Sequence, residues 1–193
     1  MSFVLSPISM YPEDLLDGLG AVPGERRWWA AYTRVRQEKR LAADLARRKV
    51  PFYLPLVERR HLYRGRRQDS QIPLFGSYVF LYANSAEYLQ SLNTNRIAQM
   101  LQIADGHELY HDLVQIRRLI ESKIPLTIEA RLKPGQRVRV KHGSFAGLEG
   151  IVESRCRQTR LVIGVMFLQQ GISIEIDDYM LEPLDNSVSA CAP

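Results

Sequence analysis

A basic segment punctuated by glycines, at residues 132–152, constrains the fold of this chain more than any other feature. Its sequence is LKPGQRVRVKHGSFAGLEGIV. Val138 and Val140 alternate with basic residues, which is the period-two pattern of a half-buried strand. A second strand pattern follows a turn that contains Gly143 and Gly147, and glycine permits positive φ and close backbone approach. The segment therefore predicts a strand, a tight turn and a return strand, as at a corner of a small barrel.

The composition is that of a folded protein without a membrane span or a secretory leader. The chain has 193 residues and a formal net charge of +5, and its length suits one ordinary domain or two small ones. Cys156 and Cys191 are widely separated, so neither a disulfide framework nor a cysteine metal site is expected. No apolar run reaches the ~18 residues of a membrane span, and the N-terminus lacks the basic start of a signal peptide. We therefore expect a cytoplasmic protein.

The patterns along the chain divide it into two folded parts. Up to residue 123 they alternate as β-α-β-β-β-α-β-α, which predicts an α+β sandwich with a mostly antiparallel sheet. From residue 132 onward they are all strand, which predicts a small β-barrel. The expected organisation is a flexible N-terminal extension at 1–25, a first domain at 26–123, a linker at 124–131, a second domain at 132–185 and a flexible tail at 186–193.

The strand pattern YVFLY at residues 78–82 is apolar on both of its faces. Tyr78, Phe80 and Tyr82 share one face, and Val79 and Leu81 share the other. If helices cover both faces, all of these side chains belong to the core. If one face is left uncovered, its rings form a docking patch for another protein, for which tyrosine hydroxyls are suited. The residues alone leave both interpretations open.

Basic residues cluster in two places in the first part. Arginines lie on or near one stripe of a helix predicted at residues 37–49, which could track a phosphate backbone. They are Arg34, Arg36, Arg40, Arg47 and Arg48. A predicted hairpin carries a second group that mixes basic and aromatic residues, a composition that suits single-stranded nucleic acid. This group is Arg59, Arg60, His61, Tyr63, Arg64, Arg66 and Arg67. A solvated helix face and a solubilising loop are the alternative interpretations.

Residues 107–111, HELYH, match the H-E-x-x-H pattern of zinc metalloproteases. That chemistry requires both histidines on one face of a helix, with Glu108 as general base. The last helix of the first part is predicted to begin only at Asp112, as its N-cap, which leaves His107 and His111 in a loop. No glycine-rich phosphate loop and no nucleophile motif is found either. The sequence therefore predicts no catalytic residue, no metal site and no cofactor.

Three segments, in this order, resemble the NusG family of transcription elongation factors. They are WWAAYTRVRQEKRLAADLARR and PLFGSYVFLY in the first part, and VRVKHGSFAGLEGIV in the second. The resemblance covers residues 27–184. It implies an NGN domain followed by a KOW domain, the latter a small SH3-like barrel. It also implies a non-enzymatic, monomeric factor that binds RNA polymerase through its NGN domain, keeps the clamp closed and suppresses pausing or termination.

The resemblance also assigns roles to individual positions. In the family, an apolar patch on the NGN sheet binds the clamp helices of the polymerase largest subunit, and the opposite edge meets a second polymerase loop. The matching polymerase-binding positions are Tyr32, Phe75, Tyr78, Phe80, Tyr88, Leu89, Gln90 and Ser91. In RfaH-like members, basic residues contact the non-template DNA strand, and the matching nucleic-acid-binding positions are Arg34, Arg40, Arg47, Arg48 and Arg96. The KOW partner surface is assigned to Phe145 and Phe167.

The chain departs from the family pattern at two places. Gly76 stands where the family usually has a proline, so this turn is expected to be looser. Phe167 is not followed by the glycine–arginine turn of the housekeeping factor, which argues against its KOW partners, ribosomal protein S10 and Rho. This favours a specialised, RfaH-like antiterminator that acts on selected operons.

Two alternatives to that assignment stay open. One is a housekeeping NusG-type factor, and the other, from a different class, is a ribosome-associated KOW protein that binds RNA. A further question is whether the KOW domain folds as helices, as RfaH-like proteins allow. Because Ile172, Ile174 and Ile176 are β-branched and alternate with polar residues, we predict a barrel.

Overall fold

The computed structural model describes residues 7–18, 25–63, 66–124, 126–129, 135–155, 158–165, 168, 170–177 and 180–184. The helices among these residues are α1 (Glu38–Arg47), α2 (Ser85–Leu92) and α3 (Gly106–Glu121). The strands are β1 (Met10–Tyr11), β2 (Arg27–Thr33), β3 (Phe52–Tyr53), β4 (Leu56–Tyr63), β5 (Arg66–Pro73), β6 (Tyr78–Ala83), β7 (Ile97–Gln102), β8 (Thr127–Glu129), β9 (Gln136–Val140), β10 (Glu149–Arg155), β11 (Gln158–Val165), β12 (Gln170–Glu175) and β13 (Leu181–Pro183). None of the described helices has both the length and the apolar character needed to cross a membrane.

The chain divides into two compact units, residues 1–114 and 115–193. The division falls inside α3. β8 lies within the stretch 124–131 that the sequence predicts to be a linker, and it pairs with β12. The predicted tail at 186–193 lies outside the described residues.

The first unit is built on a five-stranded antiparallel sheet in the order β1-β3-β6-β2-β7. One face of this sheet packs against α1. Leu41 and Leu45 of α1 are fully buried in one cluster with Val79 and Leu81 of β6. Because residues four apart lie on the same side of a helix, the amphipathic pattern seen in the sequence directs this side of α1 toward the sheet.

The start of α3 lies against the opposite face of the same sheet. Ala31 belongs to the cluster on the α1 side, so Trp28 points to the other face. A Cβ placed on Gly106, the first residue of α3, would lie 3.4 Å from Cδ1 of Trp28. Leu109 and Leu113 of α3 are buried. Helices therefore cover parts of both faces, and only selected aromatic positions are left for solvent.

β4 and β5 form a two-stranded hairpin apart from the main sheet, as the sequence predicts. Their register runs from Leu56 opposite Pro73 to Tyr63 opposite Arg66. The turn between the two strands, at residues 64–65, lies outside the described residues.

The N-terminal residues 7–18 differ from the flexible extension that the sequence predicts. β1 pairs with β3 at the edge of the sheet. Leu15 and Leu16 are buried, and Tyr110 Oη of α3 donates a hydrogen bond to the Leu16 carbonyl at 3.3 Å. A strand of two residues has no periodicity to detect, and the burial of Leu15 and Leu16 depends on tertiary contacts such as the one from Tyr110 of α3.

The prediction that the last helix of the first part begins at Asp112 is wrong, because α3 begins at Gly106. Asp105 Oδ1 accepts hydrogen bonds from the backbone amides of His107 and Glu108, both at 2.9 Å. These bonds satisfy the first amides of the helix, which is the role assigned to Asp112. His107 and His111 therefore do lie on a helix. Among the described residues, however, no group of three or more potential ligands is arranged to hold a metal ion.

The second unit contains a six-stranded antiparallel sheet in the order β13-β9-β10-β11-β12-β8. The predicted strand–turn–strand corresponds to β9 and β10, and Gly143 and Gly147 in the turn both have φ of 84°. β11 and β12 pair antiparallel, and Ile163 lies opposite Ile172. The α+β class, with an antiparallel, strand-rich C-terminal region, is confirmed. The assignment of this region as a KOW domain stays a prediction.

Candidate functional site

An exposed pair of tyrosines lies where β2 ends and β6 begins. Tyr32 lies opposite Tyr78 in the strand register, and their ring centroids are 5.2 Å apart at 55°. Tyr32 is 40% exposed and Tyr78 is half-buried. The Ser77 amide beside them donates to Oε1 of Glu38, the first residue of α1, at 2.8 Å. This bond attaches the backbone next to Tyr78 to the start of α1.

Val35 adds an apolar side chain close in sequence to the tyrosine pair. It is 78% exposed, more than any other large hydrophobic residue that the structure describes. Its exposure is not among the expectations from the sequence, although a lone valine between Arg34 and Arg36 is a visible signal. Arg36 has φ of 58°, so the chain turns sharply immediately after Val35.

Phe75 and Phe80 do not belong to this exposed surface, and the expectation that they are accessible is corrected here. Both are fully buried, and their rings meet edge to face with centroids 5.5 Å apart. Phe80 lies in the central strand of the sheet, between Tyr53 on β3 and Ala30 on β2. Alternation along β6 places Phe80 on the same face as Tyr78, but only Tyr78 lies at the strand end where solvent reaches the ring.

The predicted second contact on α2 is also only partly accessible. Leu89 is 60% exposed and Gln90 is exposed. Ser91 is fully buried, and its Oγ donates to the Glu87 carbonyl at 2.7 Å, so its expected place on the surface is corrected. The ring of Tyr88 is half-buried against Trp29, with centroids 4.7 Å apart. Because positions 88 and 91 are three apart on a helix, both turn toward the sheet while 89 and 90 turn outward.

The five arginines predicted to bind nucleic acid fall into two groups. Arg34, Arg40 and Arg48 are exposed, and none of them forms an ion pair with a residue that the structure describes. Arg47 is exposed but hydrogen-bonds to Asp44, and Arg96 is half-buried and also bound to Asp44. The sequence therefore finds the basic face of α1, but it does not distinguish the paired arginines from the unpaired ones.

Asp44 is the acceptor at the centre of the second group. Its Oδ2 accepts from Arg96 Nε at 2.5 Å and its Oδ1 accepts from Arg47 Nη2. Burial by itself raises the pKa of Asp44, but the hydrogen bonds from Arg96 and Arg47 outweigh burial and hold this pKa below its ordinary value. Arg96 Nη1 also donates to Gln37 Oε1 at 2.7 Å. Asp44 is therefore a carboxylate at neutral pH and is shared by two guanidinium groups.

The basic hairpin can be described only in part. Arg59 is exposed. The side chains of residues 60–68 lie outside the description, so the proposed mixture of charge and rings at this hairpin stays a prediction.

In the second unit, Phe145 is half-buried in the glycine turn and lines a cavity of about 710 Å³. Ile176 and Met180 also line this cavity, as do the acidic residues Glu175 and Asp177. Arg118 Nη2 and Nη1 donate to the carbonyls of Ser144 and Ala146 at 2.8 and 3.0 Å, which supports the turn. Phe167, the other residue assigned to the KOW partner surface, lies outside the described residues.

Comparison with known proteins finds a similarity within the first unit. Residues 26–110 match the NusG family model, which is described as transcription termination factor nusG. The matched range includes the tyrosine pair, α1 and α2. A solved structure titled as a crystal structure of an MjSpt4:Spt5 complex is similar at 14% identity, covers 81% of this chain and 96% of that chain, and has a TM-score of 0.27. A likeness at this score carries no argument. A comparison with curated proteins gives no match.

Residues 26–110, less than half of the chain, are therefore similar to the NusG family. This agrees with the resemblance seen in the sequence for the first part of the chain. The finer assignments, an RfaH-like paralogue and a KOW domain, stay predictions.

Proposed function

We propose that this protein is a non-enzymatic transcription elongation factor that binds RNA polymerase through its NusG-family domain. The observation that carries the proposal is the exposed tyrosine pair, Tyr32 and Tyr78, within the matched range. Rings with a polar tip are enriched at protein interfaces, where they bury apolar area while their hydroxyls keep a partner or water.

The proposed docking surface consists of Tyr32, Tyr78 and Val35, and its partner is the pair of clamp helices of the polymerase largest subunit. Phe80 belongs to the same strand as Tyr78, and its buried ring packs edge to face against that of Phe75. Leu89 and Gln90 on α2 are exposed for a second contact with the polymerase. Contacts on both sides of the polymerase cleft would favour the closed state of the polymerase clamp. A ligand shifts a conformational equilibrium toward the state that it binds more tightly.

The arginines of α1 and its flanks would contact the non-template DNA strand in the elongation complex. Arg34, Arg40 and Arg48 are exposed on or next to α1. Guanidinium contacts to phosphates release counterions, so this part of the affinity should fall with salt. Suppression of pausing or termination on selected operons is the outcome that we infer, and the second unit would recruit a further protein at the cavity lined by Phe145.

The docking proposal is tested by binding of the full chain to RNA polymerase core enzyme. The double variant Tyr32→Ala/Tyr78→Ala should bind at least about tenfold more weakly than wild type, since truncating interface tyrosines commonly removes 1–2 kcal/mol each. Ile8→Ala is the matched control, because Ile8 is a 45% exposed apolar residue of the same unit and lies outside the proposed surface. It should bind as wild type does.

Wild-type affinity in the tyrosine double variant would refute the docking surface. If that variant also bound RNA with a steep salt dependence, the chain would instead behave as the RNA-binding alternative predicts. A transcription assay gives the functional readout: wild type should shorten pauses, and the tyrosine double variant should not.

A further inference from the structure

The carboxylate of Asp44 lies among the arginines that the proposed function directs at DNA. Its side chain is 12% exposed, and each of its two oxygens accepts from a different guanidinium group. Arg96 reaches it across the domain, from the residue just before β7 to the middle of α1. The contact is therefore a tertiary contact between two elements, in addition to the local pair with Arg47.

Arg96 is held from two directions. Its Nε donates to Asp44 and its Nη1 donates to Gln37 Oε1, the residue that precedes α1. Its side chain is 29% exposed. A phosphate that approaches this guanidinium meets a positive charge that is already offset by a carboxylate in contact with it.

Arg47 is also attached to Asp44, although 75% of its side chain is exposed. Arg34, Arg40 and Arg48 form no ion pair with a described residue, although Arg40 and Arg48 lie one helical turn from Asp44. One carboxylate thus divides five arginines into three exposed ones that do not bond to it and two whose charge it offsets.

We propose that Asp44 is a positioning residue that withholds Arg96, and in part Arg47, from the DNA backbone, so that the basic face contacts fewer phosphates than its arginine count suggests. The inference rests on the proposed DNA contact. Its consequence is a weaker sequence-independent affinity, since that affinity grows with the number of phosphates neutralised. Because this affinity is weak, the protein would contact DNA only after it has docked to the polymerase.

The test is binding of the full chain to a single-stranded oligonucleotide over a series of salt concentrations. In Asp44→Asn the amide keeps the shape of the side chain and loses its charge. We expect binding about threefold to tenfold tighter at low salt, and a slope of log affinity against log salt that is more negative by about 0.7 for each arginine released. Glu13→Gln is the matched control, because Glu13 is exposed in the N-terminal segment and its loss removes the same charge. It should leave the slope unchanged.

Arginine variants test the same inference without altering Asp44, and so do not depend on the folding of Asp44→Asn. In the wild-type background, Arg40→Gln should make the slope shallower by about 0.7, whereas Arg96→Gln should leave it unchanged. In the Asp44→Asn background, adding Arg96→Gln should reverse most of the gain. This reversal would identify Arg96 as the released cation.

Two results would overturn the inference, and they are distinguishable from failure of the proposed function. An unchanged slope in Asp44→Asn, or a loss in Arg96→Gln as large as in Arg40→Gln, would show that Asp44 does not withhold Arg96. Absence of DNA binding by wild type and every variant would instead remove the DNA contact itself. Docking to the polymerase through the tyrosine pair would then still stand on its own test.

Discussion

Arg26 and Glu87 form a two-pronged ion pair that ties the chain just before β2 to the first turn of α2. Arg26 Nε donates to Glu87 Oε2 at 2.9 Å, and Arg26 Nη2 donates to Oε1 at 2.7 Å. Oε2 also accepts the Asn84 backbone amide at 2.9 Å, while the Asn84 side chain accepts the Glu87 amide, so the same glutamate completes a capping box. One side chain therefore both begins the helix and attaches it to the sheet.

This pair predicts a specific pH dependence of stability. The hydrogen bonds from Arg26 lower the pKa of Glu87, burial opposes this, and the Asn84 amide lowers it further. A carboxylate whose pKa is depressed by folding contributes stability above its unfolded pKa and loses that contribution as pH falls through its folded pKa. Glu87→Gln should therefore be less stable than wild type at neutral pH, by about 1–3 kcal/mol.

Urea unfolding from neutral to acidic pH measures this effect. The gap between wild type and Glu87→Gln should close as the pH falls below the ordinary glutamate value of 4.5. Glu25→Gln, at an exposed position close in sequence to Arg26, is the control and should give no gap at any pH. A gap of constant size across the whole range would contradict a role for the charge of Glu87.

Two apolar residues of the N-terminal segment, eight positions apart, should differ in how much they contribute to the stability of the first unit. Leu16 is 4% exposed and accepts a hydrogen bond from Tyr110 through its carbonyl, whereas Ile8 is 45% exposed. Leu16→Ala should destabilise the first unit by about 2–4 kcal/mol, because it leaves a cavity among buried neighbours. Ile8→Ala should cost less than about 1 kcal/mol. Denaturant unfolding of the full chain distinguishes them, and equal costs would show that the segment does not pack on the domain in solution.

Two glycines lie opposite each other on β11 and β12, and their spacing predicts that position 171 tolerates no side chain. Gly171 lies opposite Gly164, and a Cβ on Gly171 would lie 2.2 Å from the Ile163 carbonyl oxygen. Gly171→Ala should therefore destabilise the second unit by about 1–3 kcal/mol or more, since the clash is with backbone that cannot move without breaking the ladder. Gly76→Ala is the control, because nothing lies within 4 Å of a Cβ at that position.

Amide hydrogen exchange provides the measurement for the glycine pair. The β11 and β12 amides should exchange faster in Gly171→Ala, whereas Gly76→Ala should exchange as wild type does. Unchanged protection in Gly171→Ala would mean that the two strands are not as close as the register requires.

Much of the fold follows from local patterns in the sequence. The alternation in residues 78–82 predicts β6, and the spacing of Leu41 and Leu45 predicts α1, because both periodicities are set by backbone geometry within a few residues. The same reasoning succeeds for the glycine turn, where φ of 84° at Gly143 and Gly147 is a conformation that few other residues adopt. It fails at the start of α3, where Asp105 and Asp112 are both good capping residues and only the observed bonds decide between them.

The sequence by itself determined the class of fold, the order of most elements and the resemblance of the first unit to a NusG domain. The tertiary structure decided which of the similar residues are available to a partner. Tyr78 and Phe80 share one face of one strand, yet Tyr78 lies at the strand end, whereas Phe80 is fully buried with its ring against Phe75. Arg40 and Arg96 carry the same charge, yet only Arg96 meets Asp44, which is 52 positions away in sequence. Exposure and pairing depend on residues that are distant along the chain, and so no local pattern could have revealed them.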